Sequence, residues 1–121
     1  MKENVIKEKS YAFAVEIVKF CDQIQTTNRR SVLFDQLLKS WTSVWANVSE
    51  AIHGQSKKDF LAKLYIAYKE ANETHYWLLL FKESGHVKEK VILQELLQKN
   101  EELIKILGSI TKTVRESLLN H

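Results

Sequence analysis

Glu50 and His53 lie within one predicted helix at a spacing that is typical of a metal-binding helix. The Glu-x-x-His spacing places a carboxylate and an imidazole on one helix face, and a di-iron four-helix bundle uses two such motifs with two further inward carboxylates. No second motif lies within a predicted helix, because His75 stands two residues after a glutamate instead of three, His86 lies in the predicted turn after Gly85, and the first and last helical segments contain no histidine. The sequence therefore predicts no metal site and no cofactor.

Nucleophilic catalysis would need a hydroxyl or thiol that meets a base and an orienting group in a pocket. Serines and threonines are present, but none lies in a nucleophile elbow, and the three glycines form no phosphate-cradling loop. Cys21 is the single cysteine and lies among apolar residues at helical spacing, which favours a small buried side chain over a reactive thiol. We therefore expect a protein without enzymatic activity.

A set of polar residues stands on both sides of a predicted turn near residue 54: Asn47, Glu50, Glu70 and Glu73. The first two lie on one predicted helix and the last two on the next, so the pairs are expected to approach each other across a helical hairpin. Buried polar groups must be paired, and such pairing can fix the register of two helices. The favoured interpretation is a structural, register-setting network. The alternative is a ligand or RNA contact at the seam of an oligomer.

The candidates for contact with nucleic-acid phosphates are five basic side chains: Lys57, Lys58, Lys39, Arg29 and Arg30. Lysines in the first turn of a helix slightly oppose the helix dipole, so phosphate binding would explain their presence there. A ring of subunits would repeat these charges around an axis and strengthen the local field. The net charge is only +3, and basic and acidic residues are interleaved, so solvated surface lysines are the simpler interpretation.

Long helices must position all of these residues, because the chain has no proline, only three glycines, and apolar residues at intervals of three and four. The predicted helices cover about 4–26, 29–53, 57–84 and 88–119. Ser56 is the expected N-cap of the third, and Gly54 and Gly85 are expected to end the preceding helices in the left-handed conformation. Gly108 indicates close packing or a local bend. Short connections predict an all-α, antiparallel up-down-up-down four-helix bundle with 1–121 as one domain.

The predicted second and third helices carry more aromatic surface than one bundle core requires. A helix in a bundle needs an apolar face of about 100°. Surplus aromatic side chains are typical of protein–protein interfaces, and the alternative is a thick core whose tyrosines extend their hydroxyls to water. We expect a homo-oligomer. The candidate interface residues are Trp41, Trp45, Tyr65, Tyr68, Tyr76 and Trp77.

The N-terminal segment MKENVIKEKS is charged, and no apolar signal-peptide core follows it. The apolar run 77–81 has only five residues, against the roughly 20 that cross a membrane. A single cysteine also excludes an internal disulfide. The sequence predicts a cytoplasmic protein that does not span a membrane.

Three stretches of the chain, 36–50, 56–61 and 65–73, resemble a known family. The matching residues are Gln36, Leu37, Ser40, Ser43, Val44, Ala46, Asn47, Val48, Ser49, Glu50, Ser56, Lys57, Lys58, Asp59, Phe60, Ile66, Ala67, Glu70 and Glu73. On these residues the chain resembles the bacterial four helix bundle protein family, also named for open reading frames in intervening sequences of large-subunit ribosomal RNA genes. Lys39 stands where that pattern has arginine.

The resemblance implies an antiparallel four-helix bundle that assembles as a homopentameric ring. The family is similar in shape to the accessory proteins of diversity-generating retroelements, which bind nucleic acid and a reverse transcriptase through a basic ring. We therefore expect a non-enzymatic oligomer that binds RNA or a nucleic-acid-associated protein. The alternative is a purely structural or protein-interaction scaffold without nucleic acid.

Overall fold

A computed structural model describes residues 2–25, 32–85 and 87–120, and in these residues the structure has four α-helices and no strand. The helices are α1 (Lys2–Gln25), α2 (Val32–Ile52), α3 (Lys57–Ser84) and α4 (Lys90–Leu119). The expected all-α class is confirmed. The expected start of the second helix at 29 lies outside the described residues. The fourth helix begins two residues later than expected, with Glu89 at its cap position but without a side-chain capping bond.

The helices form an antiparallel bundle in which α1 packs against α2 and α4, and α3 packs against α2 and α4. Ring contacts show the direction of the first pair, because Phe13 meets Trp41 whereas Phe20 meets Phe34. Hydrogen bonds show the direction of the last pair. Lys57 at the start of α3 bonds a residue near the end of α4, and Lys82 near its end bonds a residue near the start of α4. The predicted up-down-up-down four-helix bundle is confirmed.

The core runs along the bundle axis and is made of large aliphatic and aromatic side chains. Phe34 stacks on Phe81 with ring centroids 4.8 Å apart, and Phe13 meets the edge of Trp41 at 4.5 Å. Burying each such side chain contributes about 1.5–3 kcal/mol. The largest fully buried aliphatic residues are Ile6, Ile17, Ile24, Leu37, Leu64, Leu78, Leu93 and Leu107.

The turn between α2 and α3 corrects one prediction and confirms another. Gly85 is the residue with positive φ among those described, at 68°, so Gly54 is not in the left-handed conformation. Gly54 is instead constrained by space, since a Cβ there would lie 3.0 Å from the backbone oxygen of Ala51. Ser56 is the N-cap of α3 as predicted, and its Oγ accepts a hydrogen bond of 3.1 Å from the backbone N–H of Asp59.

Candidate functional site

A single stripe of side chains runs along the outer surface of α3 at spacings of seven, four, three and four residues. Residues three or four positions apart are neighbours on a helix surface. The stripe consists of Lys58, Tyr65, Lys69, Asn72 and Tyr76. Both lysines are exposed, and the exposed fractions are 46% for Tyr65 and 70% for Tyr76. This part of α3 therefore presents two aromatic rings and two cations to solvent.

A second stripe runs along α4 at spacings of three, four and three residues: Lys105, Gly108, Lys112 and Arg115. The three cations are exposed. Gly108 has no side chain, so the surface of α4 is indented between Lys105 and Lys112.

Tyr68 brings the two stripes together because its ring lies over Gly108. A Cβ on Gly108 would lie 3.2 Å from Cε1 of Tyr68, which is closer than ordinary van der Waals contact. The rings of Tyr65 and Tyr68 meet edge to face with centroids 6.3 Å apart, and the Asn72 side chain donates to the backbone oxygen of Tyr68. Close packing at Gly108, one of the two expectations for it, is confirmed. The two stripes and Tyr68 are called the α3–α4 face below.

The charged residues that belong to the α3–α4 face are all basic. The face carries five exposed cations, namely Lys58, Lys69, Lys105, Lys112 and Arg115. The acidic neighbours at helical spacing on α4 are Glu101 and Glu102, four and three residues before Lys105, and Glu116, four residues after Lys112. On α3 the acidic neighbour is Glu73, four residues after Lys69. In the part of the chain that the structure describes, the ion pairs are Lys63–Glu50 and Lys99–Glu16, so none of the five cations forms an ion pair, although the ammonium group of Lys69 is near enough to Glu70 to lower the pKa of its carboxyl. They are available to an external anion.

The structure separates the cations that the sequence singled out. Lys57 donates from Nζ to Ser117 Oγ at 3.1 Å and lies at the end of the bundle, beside a cleft of about 470 Å³ that Phe60 and Val114 also line. Lys39 stands 13 residues before the end of α2, about 20 Å along the bundle from that cleft. Lys58 alone of the predicted set belongs to the α3–α4 face.

Arg29 and Arg30, also predicted to contact phosphates, lie outside the described residues. The sequence reasoning missed Lys69, Lys105, Lys112 and Arg115. The missed signal was the three-four-three spacing around Gly108, which places the α4 cations on one side of the helix.

The four predicted network residues are not joined to one another as proposed. Asn47 donates from Nδ2 to Ser43 of its own helix, to the backbone oxygen at 2.9 Å and to Oγ at 3.2 Å. Glu50 pairs with Lys63 at 3.5 Å. None of the contacts among the described residues links Asn47 or Glu50 to Glu70 or Glu73, because the antiparallel register places Glu50 level with Lys63. The predicted network across the hairpin is wrong in that form.

Glu70 and Glu73 interact with each other instead. Partial burial, followed by the negative charge of Glu73, raises the pKa of the Glu70 carboxyl, and the nearby ammonium groups of Lys39 and Lys69 partly offset that rise.

The buried polar contact that links α2 to α3 is a pair of hydroxyls. Ser40 Oγ and Thr74 Oγ1 lie 2.9 Å apart, and both residues are buried. Each hydroxyl also lies within hydrogen-bond distance of a backbone oxygen of its own helix, that of Leu37 for Ser40 and that of Glu70 for Thr74. Because each hydroxyl has one proton, one of them donates to the other, and the accepting hydroxyl donates to its own backbone oxygen. These short side chains, and not the four predicted residues, form the buried side-chain contact between α2 and α3.

Trp41 is a core residue, so its assignment to an oligomer interface is wrong. It is fully buried, and its indole Nε1 donates to the backbone oxygen of Ser10 at 2.9 Å. Trp45, one turn further on, is 36% exposed and meets Tyr11 of α1 with ring centroids 5.4 Å apart. Tyr68 and Trp77 are partly buried against the core, whereas Tyr65 and Tyr76 are exposed. An interface role for the exposed aromatics stays a prediction.

Cys21 is buried, and burial, together with the charges of Asp22 and Asp35, raises the pKa of its thiol to about 12. This agrees with the small buried side chain expected from the sequence. Within 2–25, 32–85 and 87–120 there is no cluster of three or more histidine, cysteine or carboxylate side chains that would hold a metal ion. Across the same ranges no helix has the length and apolarity needed to cross a lipid bilayer.

Two comparisons with known proteins point to the same protein family. The family model described as 23S rRNA-intervening sequence protein matches residues 2–109. A crystal structure of a protein with unknown function from the S23 ribosomal protein family of Bacteroides thetaiotaomicron VPI-5482 is 41% identical in sequence and superposes with a TM-score of 0.86. The similarity covers 93% of this chain and 99% of the Bacteroides chain. The search of curated proteins gave no match.

Proposed function

The chain belongs to the 23S rRNA-intervening sequence protein family, and on that premise we propose that it is a non-enzymatic, oligomeric four-helix-bundle protein that binds RNA. The observation that carries the proposal is the α3–α4 face, where five exposed cations, none of them in an ion pair among the described residues, stand beside two exposed tyrosines. Phosphate contacts from lysine and arginine supply most of the affinity of non-specific nucleic-acid binding. Exposed aromatic rings supply a second, sequence-tolerant contact.

The chemistry of the face favours RNA over an acidic protein as partner. Five cations are spread along two helices, which suits a strand of regularly spaced phosphates. The overall charge of +3 is modest, so a single copy offers a limited field. Repetition of the face around a ring would raise the local positive potential several-fold, and this is the reason the proposal includes an oligomer.

The proposed assembly is the homopentamer that the family resemblance implies, located in the cytoplasm, where RNA is abundant. Tyr11 and Trp45 are the candidates for its contact surface, because their rings meet on the outside of α1 and α2 and stay partly exposed. Light scattering after size exclusion tests this part separately. We expect about five times the 14.2 kDa of one chain, and a monomer mass would contradict it.

A second candidate function is a protein-interaction scaffold that binds no nucleic acid. It is favoured by the same exposed pair, Tyr11 and Trp45, which line a surface depression of about 480 Å³ with Lys7 and Glu8. Aromatic side chains beside charged ones are typical of protein interfaces. Under this alternative the cations of the α3–α4 face are solvated surface residues.

The experiment that separates the two candidates is purification from native cells with and without nuclease. RNA binding predicts an absorbance ratio at 260 and 280 nm above that of protein alone, and the loss of this excess after ribonuclease treatment. A scaffold predicts a protein partner that remains bound after the same treatment. Protein that carries no RNA and binds none at low ionic strength would contradict the proposed function.

A further inference from the structure

We infer that the α3–α4 face takes single-stranded rather than base-paired RNA, with Tyr65 and Tyr76 stacking on unpaired bases and the surrounding cations contacting phosphates. This inference rests on the proposed function and specifies its ligand. Two observations carry it: the exposure and placement of the two rings, and the position of the cations between and beside them.

The rings are placed for stacking. Tyr65 is held on one side by the edge-to-face contact with Tyr68, yet 46% of its surface remains open to solvent. Tyr76 is 70% exposed and stands on the same stripe of α3. Unpaired bases stack on exposed aromatic side chains, whereas the bases of an A-form duplex are stacked within the helix and offer no free face except at the ends.

The spacing of the rings suits one extended strand. Tyr65 and Tyr76 are 11 residues apart on α3, which corresponds to about 16 Å along the helix axis. That distance is about five base steps at the 3.4 Å spacing of a stacked strand. Lys69 lies between the two rings on α3, and the antiparallel register places Lys112 near the level of Tyr65 and Lys105 between the levels of the two rings. These cations are placed to meet phosphates of the intervening nucleotides.

The test uses the full chain and two fluorescein-labelled probes, a 12-nucleotide single-stranded RNA without self-complementarity and a 12-base-pair RNA duplex that contains the same strand. Dissociation constants are measured by fluorescence anisotropy in one buffer. Four variants are compared with the unmodified chain: Tyr65→Ala, Tyr76→Ala, and the controls Tyr65→Phe and Tyr76→Phe, which keep the ring. Circular dichroism melting verifies that each variant keeps its helices.

We expect tighter binding of the single strand than of the duplex. Each alanine variant should bind the single strand about fivefold more weakly or worse, because one stacking contact is lost. The phenylalanine variants should stay within about twofold of the unmodified chain, since a phenyl ring stacks as a phenol does. Shortening the single strand below about five nucleotides should remove the effect of one tyrosine, because a short strand does not reach both rings.

Equal or tighter binding of the duplex would overturn the inference, as would alanine variants that bind the single strand as well as the unmodified chain. Either result leaves RNA binding itself in place. Absence of binding to both probes is a different result, because it contradicts the proposed function together with the inference. The phenylalanine controls distinguish loss of stacking from loss of the tyrosine hydroxyl.

Discussion

The ring of Tyr68 occupies the space that a side chain on Gly108 would need, with a distance of 3.2 Å between Tyr68 Cε1 and a Cβ built at Gly108. This contact determines how closely α3 and α4 approach where the two stripes of the α3–α4 face meet. The Tyr68 ring also packs against the ring of Tyr65 on the outer surface of α3. A glycine in the middle of a 30-residue helix thus contributes to the geometry of a surface.

Gly108→Val should destabilise the bundle. The added side chain overlaps the Tyr68 ring, and overpacking of this kind costs about 1–3 kcal/mol, more than the gain of up to about 1 kcal/mol from replacing glycine in a helix. Urea denaturation measures the change. In a Tyr68→Ala background the same substitution should cost less, because the ring is gone. Equal costs in both backgrounds would show that the contact is unimportant.

Ser40 and Thr74 should be energetically coupled. Their hydroxyls lie 2.9 Å apart in the core, and each keeps a backbone acceptor in its own helix, so removing one should cost about 1 kcal/mol. The costs of Ser40→Ala and Thr74→Val should add to more than the cost of the double variant. Thr42→Ala is the matched control, since Thr42 bonds its own helix in the same way but is exposed. Simple additivity would contradict the coupling.

Replacement by phenylalanine should affect the stability of the bundle differently at Trp41 and at Trp45, which lie one helical turn apart. Trp41→Phe removes the donor to the Ser10 oxygen and leaves space in the core, so it should lower the free energy of unfolding by about 1–3 kcal/mol. Trp45→Phe keeps an aromatic contact with Tyr11 at the surface and should change the free energy of unfolding by less than about 0.5 kcal/mol. Thermal melting of both variants gives the comparison. Similar losses would contradict the assignment of Trp41 to the core.

Glu70 should make folding stability depend on pH. Its pKa is raised in the folded chain by burial and by Glu73, so the carboxyl favours folding in its protonated form. This contribution is present below the unfolded-state pKa and is lost as the pH rises through the folded-state pKa. Glu70→Gln should therefore raise the melting temperature at pH 7 and have little effect at pH 4.

The exposed Glu8 of α1 provides the control for removal of one negative charge, and Glu8→Gln should not reproduce the pH-dependent gain. A Glu70→Gln variant that melts below the unmodified chain at pH 7 would show that the carboxylate is stabilising, opposite to the direction given by its surroundings.

The sequence predicted the helices well because their signals are local. Ser56 caps α3 by accepting a hydrogen bond from the backbone N–H of Asp59, three residues later, and Gly85 ends α3 by adopting a positive φ. Both could therefore be recognised from the residues next to them in the sequence. Position 54 requires glycine because a Cβ there would lie too close to the Ala51 backbone oxygen, and not because the backbone has a positive φ. The sequence alone cannot distinguish these two requirements. Trp41 and Trp45 differ only in which flank of α2 faces the core.

The candidate site was harder to predict because it spans two helices. Lys58 was found from a turn motif, but the α4 cations become part of the same face only when Tyr68 lies on Gly108. The polar pairs near residue 54 were misjudged for the same reason. Their alignment depends on the register of the antiparallel helices, in which Glu50 meets Lys63.

The salt dependence of RNA binding tests the central claim most directly, and it is measured on the unmodified chain, Lys105→Ala/Lys112→Ala and the control Lys19→Ala on the exposed side of α1. Each phosphate contact with a single strand contributes about 0.7 to the slope of log K against log salt. The double variant should therefore bind more weakly with a slope shallower by about 1.4, while the control matches the unmodified chain. Identical slopes for all three proteins, or no binding at low salt, would contradict the assignment of RNA to the α3–α4 face.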